Sequence, residues 1–436
     1  MHHVILGAGP AGVTAAETIR QARKSDEITL LSGEEAQPYS RMAIPYLLQG
    51  NISEQGTYLR QAPGHYAALG IDVQHGRAGG LDTVGKRLFL AGGKELRYDN
   101  LLIATGASPI IPPFDGAGLP GVHACWTLDD ARAIVKLVDK GAPVVLCGAG
   151  FIGSIILEAI HARGADLTVV ELAPRMVARM MDETAGGMIS RWCEAKGVRV
   201  LTGQSVERIT AVDDTAGGGP LRVQLSSGGT IPARLVVMAV GVRPNTGFLV
   251  GSGVAVGRGI TVDHHLRTSA PGVYAAGDCC EALDLSTGKP DMLAIQPTAV
   301  EHGRIAALNM AGRPTPHRGS LNMNVLDTMG LISSSFGLWQ GGKIGGTAKQ
   351  IDEANYRYMR LEFEADRLVG AQCVGHTEHV GILRGLIQTG LSLGGWKGRL
   401  MRSPERVAEA YVSITQGQSG FGPAAPHVKV PVMAAH

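Results

Sequence analysis

Apolar runs alternate with glycine loops and helical spacing in the first half of the chain. The run at residues 4–6 leads into the loop 7–12, a helical stretch and a second apolar run at 27–31. The same order returns at the apolar run 144–147 and ends with another at 167–170. Unbroken apolar runs of this length are typical of strands buried on both faces of a parallel sheet. The pattern therefore predicts two β-loop-α-β units in an α/β fold.

The segment between these two units has a different texture. The apolar runs 87–90 and 99–103 flank Gly92 and Gly93, a pair that favours a turn. Residues 72–106 are therefore predicted to form a short antiparallel insertion.

A third pattern begins at about Leu321. It contains a strand-like run at 356–361 and a helical stretch from His379 to about Leu391, which together predict a smaller α+β domain.

His376 and His379 share one helical face if their segment is helical. No third ligand is evident, so a solvated loop is favoured over a metal site.

Composition narrows the class of protein without identifying it. The chain has 436 residues, 44% of them hydrophobic and 18% charged, which is typical of a folded protein with two or three domains. A formal net charge of +2 is too small to indicate nucleic acid as a partner. No apolar run approaches the roughly 18 residues of a membrane span, and no signal peptide is recognised at the N-terminus.

Cysteine usage also carries information. Six cysteines are scattered without a C-x-x-C pair or zinc-ligand spacing, so neither a metal site nor a disulphide framework is predicted and cytoplasm is the expected compartment. They are Cys125, Cys147, Cys193, Cys279, Cys280 and Cys373.

Both glycine loops follow the pattern G-x-G-x-x-G. The pattern alone is weak evidence in a chain with 61 glycines. Its weight comes from the preceding strand and the following helix. The first glycine allows a tight turn, the second lets the backbone approach a pyrophosphate, and the third lets helix and strand pack closely. The free N–H groups and positive end of the helix then favour the phosphates.

The two units differ in the residue that ends the second strand of each. Glu171 ends the second unit, where a carboxylate accepts both ribose hydroxyls and repels a 2′-phosphate, so NAD(H) is preferred over NADP(H). Arg175, four residues on, would weaken that preference. The first unit has Ser32 at the matching position, and Glu34 or Glu35 is the nearest carboxylate for an adenosine ribose.

Five further stretches complete a family resemblance. They are 39–41 (YSR), 102–106 (LIATG), 238–245 (MAVGVRPN), 272–278 (GVYAAGD) and 296–298 (QPT). With the two loops, they make residues 1–320 resemble the pyridine nucleotide-disulphide oxidoreductases. The nearest branch holds rubredoxin and ferredoxin reductases and the flavin part of nitrite reductase.

The resemblance implies an FAD domain (1–115 and 245–320), an inserted NAD domain (116–244), an α+β interface domain (321–416) and an extended tail (417–436). It also implies that Arg41 lies near the flavin ring, that Asp278 accepts a hydrogen bond from the ribityl chain, and that the helix opening at Gln296 faces the flavin pyrimidine. The residues predicted to contact the two dinucleotides are Gly7, Gly9, Pro10, Ala11, Gly12, Glu34, Arg41, Ala78, Ala104, Thr105, Gly106, Gly277, Asp278, Gln296, Pro297, Thr298, Gly148, Gly150, Phe151, Ile152, Gly153, Glu171 and Gly241.

Two positions depart from the family pattern. Disulphide-reducing relatives carry a reactive cysteine where this chain has Met42, and a thioether cannot form the attacking thiolate. The adjacent Cys279 and Cys280 are interpreted as small buried residues. Relatives often have a glutamate near the nicotinamide, where this chain has Ile155.

The resulting functional prediction is an FAD-dependent NAD(H):acceptor oxidoreductase. Hydride would be exchanged at flavin N5, and the electrons would pass to or from a redox partner protein or metal centre without an active-site disulphide. The first rival hypothesis is the NAD-handling FAD subunit of a larger tungsten or iron-sulphur complex that reduces NAD. The second is an NADH oxidase or peroxidase, and the third is a non-enzymatic redox-sensing flavoprotein. Homodimer formation is left open.

Overall fold

The computed structural model describes residues 1–213, 218–342 and 344–419. Contacts between Cα atoms divide the chain into two compact units. The first contains residues 1–322 and 326–331, and the second contains 323–325 and the residues from 332 onward.

The first 110 residues contain the first glycine loop. Their strands are β1 (His2–Leu6), β2 (Glu27–Ser32), β3 (Ile71–His75), β4 (Ala78–Asp82), β5 (Arg87–Leu90), β6 (Glu95–Arg97), β7 (Asn100–Ile103) and β8 (Ala107–Pro109). Their helices are α1 (Pro10–Ala22), α2 (Ile44–Gln49) and α3 (His65–Ala68).

The next 140 residues contain the second glycine loop. Their strands are β9 (Val122–Ala124), β10 (Pro143–Cys147), β11 (Asp166–Glu171), β12 (Arg199–Thr202), β13 (Val206–Ala211), β14 (Leu221–Leu225), β15 (Thr230–Ala233), β16 (Leu235–Met238) and β17 (Val242–Pro244). Their helices are α4 (Leu128–Leu137), α5 (Phe151–Ala162) and α6 (Glu183–Ala195).

The chain then completes the first unit. This part contains β18 (Ile260–Thr261), β19 (Val273–Ala275), β20 (Cys280–Leu283), β21 (Pro290–Asp291) and α7 (Gln296–Met310).

Two five-stranded parallel sheets form the framework of the first unit. Their orders are β19-β7-β1-β2-β3 and β12-β11-β10-β16-β9. In each sheet the strand before the glycine loop is central, so the loop leaves the carboxyl end of a buried strand. The two connections between the sheets also pair, because β8 and β17 run antiparallel.

Burial on both faces explains the unbroken apolar runs. In β1, Ile5 faces one core with α1 and α7, whereas Val4 and Leu6 face the other. In β10, Val145 and Cys147 pack toward the small antiparallel sheet β13-β14-β15.

The predicted antiparallel insertion was too long. Only β4, β5 and β6 form the antiparallel sheet, whereas β3 and β7 belong to the first parallel sheet. All four residues of β7 are buried, and the strand pairs in parallel with β1 and β19. The run 99–103 therefore belongs with the other unbroken apolar strands, and the hairpin around Gly92 and Gly93 pairs β5 with β6.

The second unit is α+β. Its five-stranded sheet has the order β22-β23-β26-β25-β24, with β22 (Met323–Thr328) beginning in this unit and ending in the first. The other strands are β23 (Leu331–Gly337), β24 (Thr347–Asp352), β25 (Arg357–Glu364) and β26 (Arg367–Val374), and the helices are α8 (Val380–Thr389), α9 (Gly395–Leu400) and α10 (Val407–Ser419). The predicted fold class, two parallel sheets plus a C-terminal α+β segment, is confirmed.

Two details of this segment differ from the prediction. His379 only precedes α8, and His376 lies outside the helix, where its Nδ1 is 2.9 Å from an Arg357 guanidinium nitrogen. The two histidines therefore share no helical face. Gly417 lies within α10 rather than in an extended tail, and residues 420–436 of that tail lie outside the described residues.

Candidate functional site

A cavity of about 690 Å³ lies in the first unit, at the carboxyl ends of the first parallel sheet. Most of the predicted FAD contacts line it, together with the start of α5. Among the predicted residues the lining contains Gly7, Gly9, Pro10, Ala11, Glu34, Arg41, Ala78, Ala104, Thr105, Gly106, Phe151, Ile152, Gly277, Asp278 and Gln296. Cofactor pockets commonly measure about 300–1,000 Å³, so the cavity has the right scale.

The first glycine loop explains why glycine is needed at two of its three positions. Gly7 has φ +116°, and a Cβ there would lie 2.1 Å from the Ala104 oxygen. A Cβ on Gly12 would lie 1.9 Å from the Gly7 oxygen. A Cβ on Gly9 would meet nothing within 4 Å, because Gly9 faces the cavity. The loop therefore offers open backbone and the N-terminus of α1 to a ligand, which fits a pyrophosphate.

The second loop repeats this construction. Cβ atoms on Gly148 and Gly153 would lie 2.5 Å from the Ala239 oxygen and 2.0 Å from the Gly148 oxygen. A Cβ on Gly150 again meets nothing within 4 Å. These three glycines do not line the cavity, but Phe151, Ile152, Ile155 and Ile156 of α5 do.

Glu171 holds the backbone around the second loop. Its Oε2 accepts a hydrogen bond from the Ala149 N–H at 2.5 Å, and its Oε1 accepts one from the Ala173 N–H at 2.7 Å. Arg175 donates instead to the carbonyl oxygens of Met181 and Ala178. Backbone N–H groups thus hold the Glu171 carboxylate, and backbone carbonyl oxygens hold the Arg175 guanidinium.

Glu34 and Arg41 are joined in one network. The Arg41 guanidinium donates to Glu34 Oε1 at 2.6 Å and to the Trp126 oxygen at 2.6 Å, and it lies over the Trp126 ring at 5.4 Å. The Tyr39 hydroxyl donates to Glu34 Oε2 at 2.6 Å. Arg41 is thus tied to the carboxyl end of β2. The predicted places of Glu34 at a ribose and Arg41 near a flavin ring stay predictions.

Asp278 brings an acidic group to the same cavity. Burial raises its pKa to about 6, and the charge of nearby Arg41 works in the opposite direction. A carboxylate in this position is stabilised by hydroxyl donors, which fits a polyol segment of a bound cofactor.

Other predicted residues either bond to the return connection or lie outside the cavity lining. Thr105 and Gly106 are tied to Asn245 of the return connection, through Thr105 Oγ1 to the Asn245 oxygen at 2.9 Å and the Asn245 N–H to the Gly106 oxygen at 3.0 Å. Thr298 is buried, Pro297 is exposed, and neither lines the cavity. Gly241 lies outside the lining, with φ +125° and its oxygen bonded to the Ile110 N–H.

Sequence reasoning missed part of the cavity wall. Trp126, Thr127 and Asp130 line it at the start of α4, and Phe248 lines it further along the chain. Thr127 and Asp130 form a capping box, so the T-x-x-D spacing is a signal that would have located the start of α4.

The sequence analysis also missed Cys125 as a cavity residue. The thiol is buried, and burial together with nearby Asp130 raises its pKa to about 12. All six cysteines are buried and unpaired, which confirms the interpretation of Cys279 and Cys280 as buried residues. Met42 lines the cavity and is 45% exposed. The cavity thus contains a thioether and a protonated thiol, but no reactive thiolate among its described lining residues.

Potential metal ligands meet at one place outside the cavity. In an exposed turn, Asp263, His264 and His265 bring potential ligand atoms within 4.8 Å of one another. None of these three residues lines the cavity. Over residues 1–213, 218–342 and 344–419, no helix has the length and apolar character required to span a bilayer.

The comparisons with known proteins agree with this geometry. The family model for pyridine nucleotide-disulphide oxidoreductases matches residues 1–303. The chain is 30% identical over 404 residues to an NADH oxidase of Methanocaldococcus jannaschii, covering 86% of this chain and 88% of that protein. It is 31% identical over 418 residues to the epsilon subunit of an NADH-dependent phenylglyoxylate dehydrogenase of Aromatoleum evansii, covering 95% and 97%.

A solved structure is similar over nearly the same extent. The ferredoxin reductase for the CYP199A2 system of Rhodopseudomonas palustris is 28% identical to this chain, with a TM-score of 0.80. The similarity covers 90% of this chain and 95% of that one.

Proposed function

Because this chain belongs to the pyridine nucleotide-disulphide oxidoreductase family and is an NAD(H)-dependent flavin oxidoreductase, we propose that it passes electrons between NAD(H) and a metal centre on another protein. The resemblance predicted from the sequence is confirmed at the level of this family. The acceptor, the cofactor contacts and the division into FAD and NAD domains are parts of the proposal.

The residues of the cavity fit FAD. The first glycine loop and the start of α1 would hold the pyrophosphate, and Asp278 would accept a hydrogen bond from a cofactor hydroxyl. Bound FAD would supply the ability to accept two electrons together and release them singly. The protein's part is to position the cofactor and exclude competing chemistry.

The second loop fits NAD(H). The loop would receive the second pyrophosphate at the start of α5. The carboxylate of Glu171 disfavours a 2′-phosphate there, because like charges would meet. Arg175 is bonded to two carbonyl oxygens and leaves that carboxylate uncompensated.

One observation carries the proposal: the start of α5 lines the same cavity as the first loop. Phe151, Ile152 and Ile155 stand in the cavity wall with Gly9 and Ala11. A dinucleotide bound at the second loop is thereby directed toward a cofactor bound at the first. Ile155 offers no titratable group, so proton transfer from this position is not part of the proposal.

The absence of a thiolate from the described cavity wall favours direct transfer from flavin to a partner. Met42 cannot attack a disulphide, and Cys125 is kept protonated by burial. We therefore infer a redox partner protein with an iron-sulphur or other metal centre, and negligible activity on disulphides.

The test begins with cofactor content. Purified protein should be yellow, contain FAD in equimolar amount, and reduce viologen or ferricyanide with NADH. Native pull-down followed by metal analysis should then recover a metalloprotein. A colourless protein that cannot be reconstituted with FAD would refute the proposal.

A second candidate function is the NAD-handling subunit of a larger complex. It is favoured by the similarity to the dehydrogenase epsilon subunit, which extends over 95% of this chain. Native purification from the source cells separates the two candidates. A complex subunit co-elutes with fixed stoichiometric partners, whereas a free reductase elutes alone and binds its partner reversibly.

A third candidate function is that of an NADH oxidase, which is suggested by the similarity to the NADH oxidase described above. Oxygen uptake with NADH, compared with reduction of a one-electron dye under the same conditions, tests it. Oxygen consumption faster than dye reduction would favour the oxidase.

A further inference from the structure

Besides the short α2, four longer helices among the described residues begin at the wall of the cavity. They are α1, α4, α5 and α7, and each contributes residues of its first turns to the lining. A helix N-terminus carries unpaired N–H groups and about half a positive elementary charge. Each of these helix ends therefore favours a negatively charged ligand, unless a side chain of the protein already caps it.

Three of the four ends are already accounted for. The start of α4 is closed by its own capping box, in which Thr127 accepts from the Asp130 N–H and Asp130 Oδ2 accepts from the Thr127 N–H. The starts of α1 and α5 follow the two glycine loops, which fit pyrophosphates. The start of α7 has no side-chain cap and no acidic residue in its first turn.

The first residue of α7 is held by a neighbouring segment. The Ser40 hydroxyl donates to Gln296 Oε1 at 2.6 Å. Ser40 is itself fixed, because its N–H donates to the Thr57 oxygen at 2.9 Å and its oxygen accepts from the Ala43 N–H at 3.0 Å. These bonds hold the Ser40 backbone, and its hydroxyl occupies the oxygen end of the Gln296 amide.

We propose that Ser40 is a positioning residue that turns the amino end of the Gln296 side chain toward the bound cofactor. This inference rests on the proposed function. The family resemblance implies that α7 faces the flavin pyrimidine, which gains negative charge when the flavin is reduced. An N–H donor beside the uncapped helix end stabilises that charge. Ser40 thereby raises the reduction potential of the flavin.

The test is the flavin midpoint potential of Ser40→Ala in the FAD-loaded protein, measured by dye equilibration. Without the hydroxyl, the Gln296 amide is free to turn. The ratio of reduced to oxidised flavin at a fixed potential should then fall about tenfold, equal to about 30 mV for a two-electron couple. Ser190→Ala is the matched control, because the Ser190 hydroxyl donates a hydrogen bond to the Gly186 oxygen within α6, away from the cavity lining. Its potential should equal that of the wild type.

A double-mutant cycle identifies the route of the effect. If Ser40 acts through Gln296, Ser40→Ala should change the potential little in a Gln296→Ala background, so the two changes are not additive. An unchanged or higher potential in Ser40→Ala, or full additivity in the cycle, overturns the inference. Failure of the wild type to bind FAD is a different result, and it refutes the proposed function itself.

Discussion

The two glycine loops of the first unit share one backbone construction. Each begins with a left-handed glycine, Gly7 with φ +116° and Gly148 with φ +97°. The N–H of each donates to the penultimate residue of the following strand, at 2.9 Å to the Leu31 oxygen and 2.8 Å to the Val170 oxygen. The glycines alone therefore do not distinguish one cofactor from the other.

The loops differ at the end of that strand. Ser32 in the first unit bonds locally, with its hydroxyl donating to the Glu34 oxygen at 2.6 Å. Glu171 in the second unit spans two loops with its carboxylate. The first loop also lies along the cavity, whereas the second reaches it only through the start of α5. The glycines thus build the same turn in both units, and the units differ at the strand end and in how the following helix approaches the cavity.

The largest effect is expected from a glycine that packs against backbone. In Gly153→Ala the new Cβ would lie 2.0 Å from the Gly148 oxygen, so helix and strand must move apart. We expect a loss of about 3 kcal/mol or more in the free energy of unfolding. Denaturant unfolding measures it.

Gly150→Ala is the matched control for that variant. Its Cβ meets nothing within 4 Å, and its φ of −75° suits alanine. Stability should change by less than about 1 kcal/mol, while NADH binding weakens because the Cβ obstructs the pyrophosphate. Equal destabilisation in the two variants would contradict the different roles given to these glycines.

A smaller effect is expected at the first site from Asp278→Ala. The change removes a hydrogen bond to a charged group, worth about 1.5–3 kcal/mol, or roughly 10- to 150-fold in FAD affinity. Titration of FAD-free protein with FAD measures the difference. Unchanged affinity would show that Asp278 contacts no part of the cofactor.

The same carboxyl gives a pH dependence. Because the pKa of Asp278 rises from 3.8 to about 6 on folding, the folded FAD-free protein binds more protons than the unfolded chain between these values. Its contribution to stability is therefore present below about pH 4 and is lost as pH rises to about 6. Comparing unfolding of the FAD-free wild type with Asp278→Asn across this range isolates the contribution, which should be absent from the variant.

Glu171, the last residue of β11, should control the choice between NADH and NADPH. We expect the wild type to prefer NADH in kcat/KM, and Glu171→Gln to narrow the preference by about tenfold or more, because like charges at a binding site cost several kcal/mol. Steady-state kinetics with NADH and NADPH test this. Arg175→Ala should leave the ratio unchanged, since its guanidinium is bonded to Met181 and Ala178. A wild type that prefers NADPH would mean that Arg175 turns to the nucleotide.

The sequence predicted what local patterns determine. Apolar runs located β1 and β10, and the glycine spacing located loops whose close contacts, such as Gly12 against the Gly7 oxygen, lie within a few residues. The position of β7 was missed because its partners β1 and β19 are far away in the chain. Local signals around Gly92 and Gly93 suggested a nearer partner instead.

The cavity wall was predicted less completely for the same reason. Cys125 and Trp126 line it because the segment between β9 and α4 returns beside β8, where the Trp126 indole N–H donates to the Ala107 oxygen at 2.9 Å. The ion pair of Arg41 and Glu34 was also missed, since periodicity does not indicate how a loop folds back on itself. Side-chain chemistry is visible in a sequence, but convergence of distant segments is not.

The smallest effect is expected from removing thiols. Because Met42 stands where disulphide-reducing relatives have cysteine, NADH-dependent dye reduction should survive Cys125→Ala and alkylation of all six cysteines, apart from any loss through unfolding. Anaerobic titration should consume two electrons per flavin, with no further two-electron step and no long-wavelength thiolate-to-flavin charge-transfer band.

Cys125 makes this prediction sharper, because it is the cysteine among the described cavity residues that a flavin would meet. A pKa of about 12 keeps its sulphur protonated at neutral pH, and a thiol is a poor nucleophile until it ionises. Four electrons per flavin in the wild type, falling to two in Cys125→Ala, would mean that Cys125 is present in an oxidised form, a sulphenic acid or mixed disulphide, that takes two electrons from the reduced flavin. Electrons would then leave through sulphur, and the metal-centre acceptor would lose its main support. If four electrons persisted in Cys125→Ala, an oxidised sulphur elsewhere, for example at Cys279 or Cys280, would have to exchange electrons with the flavin.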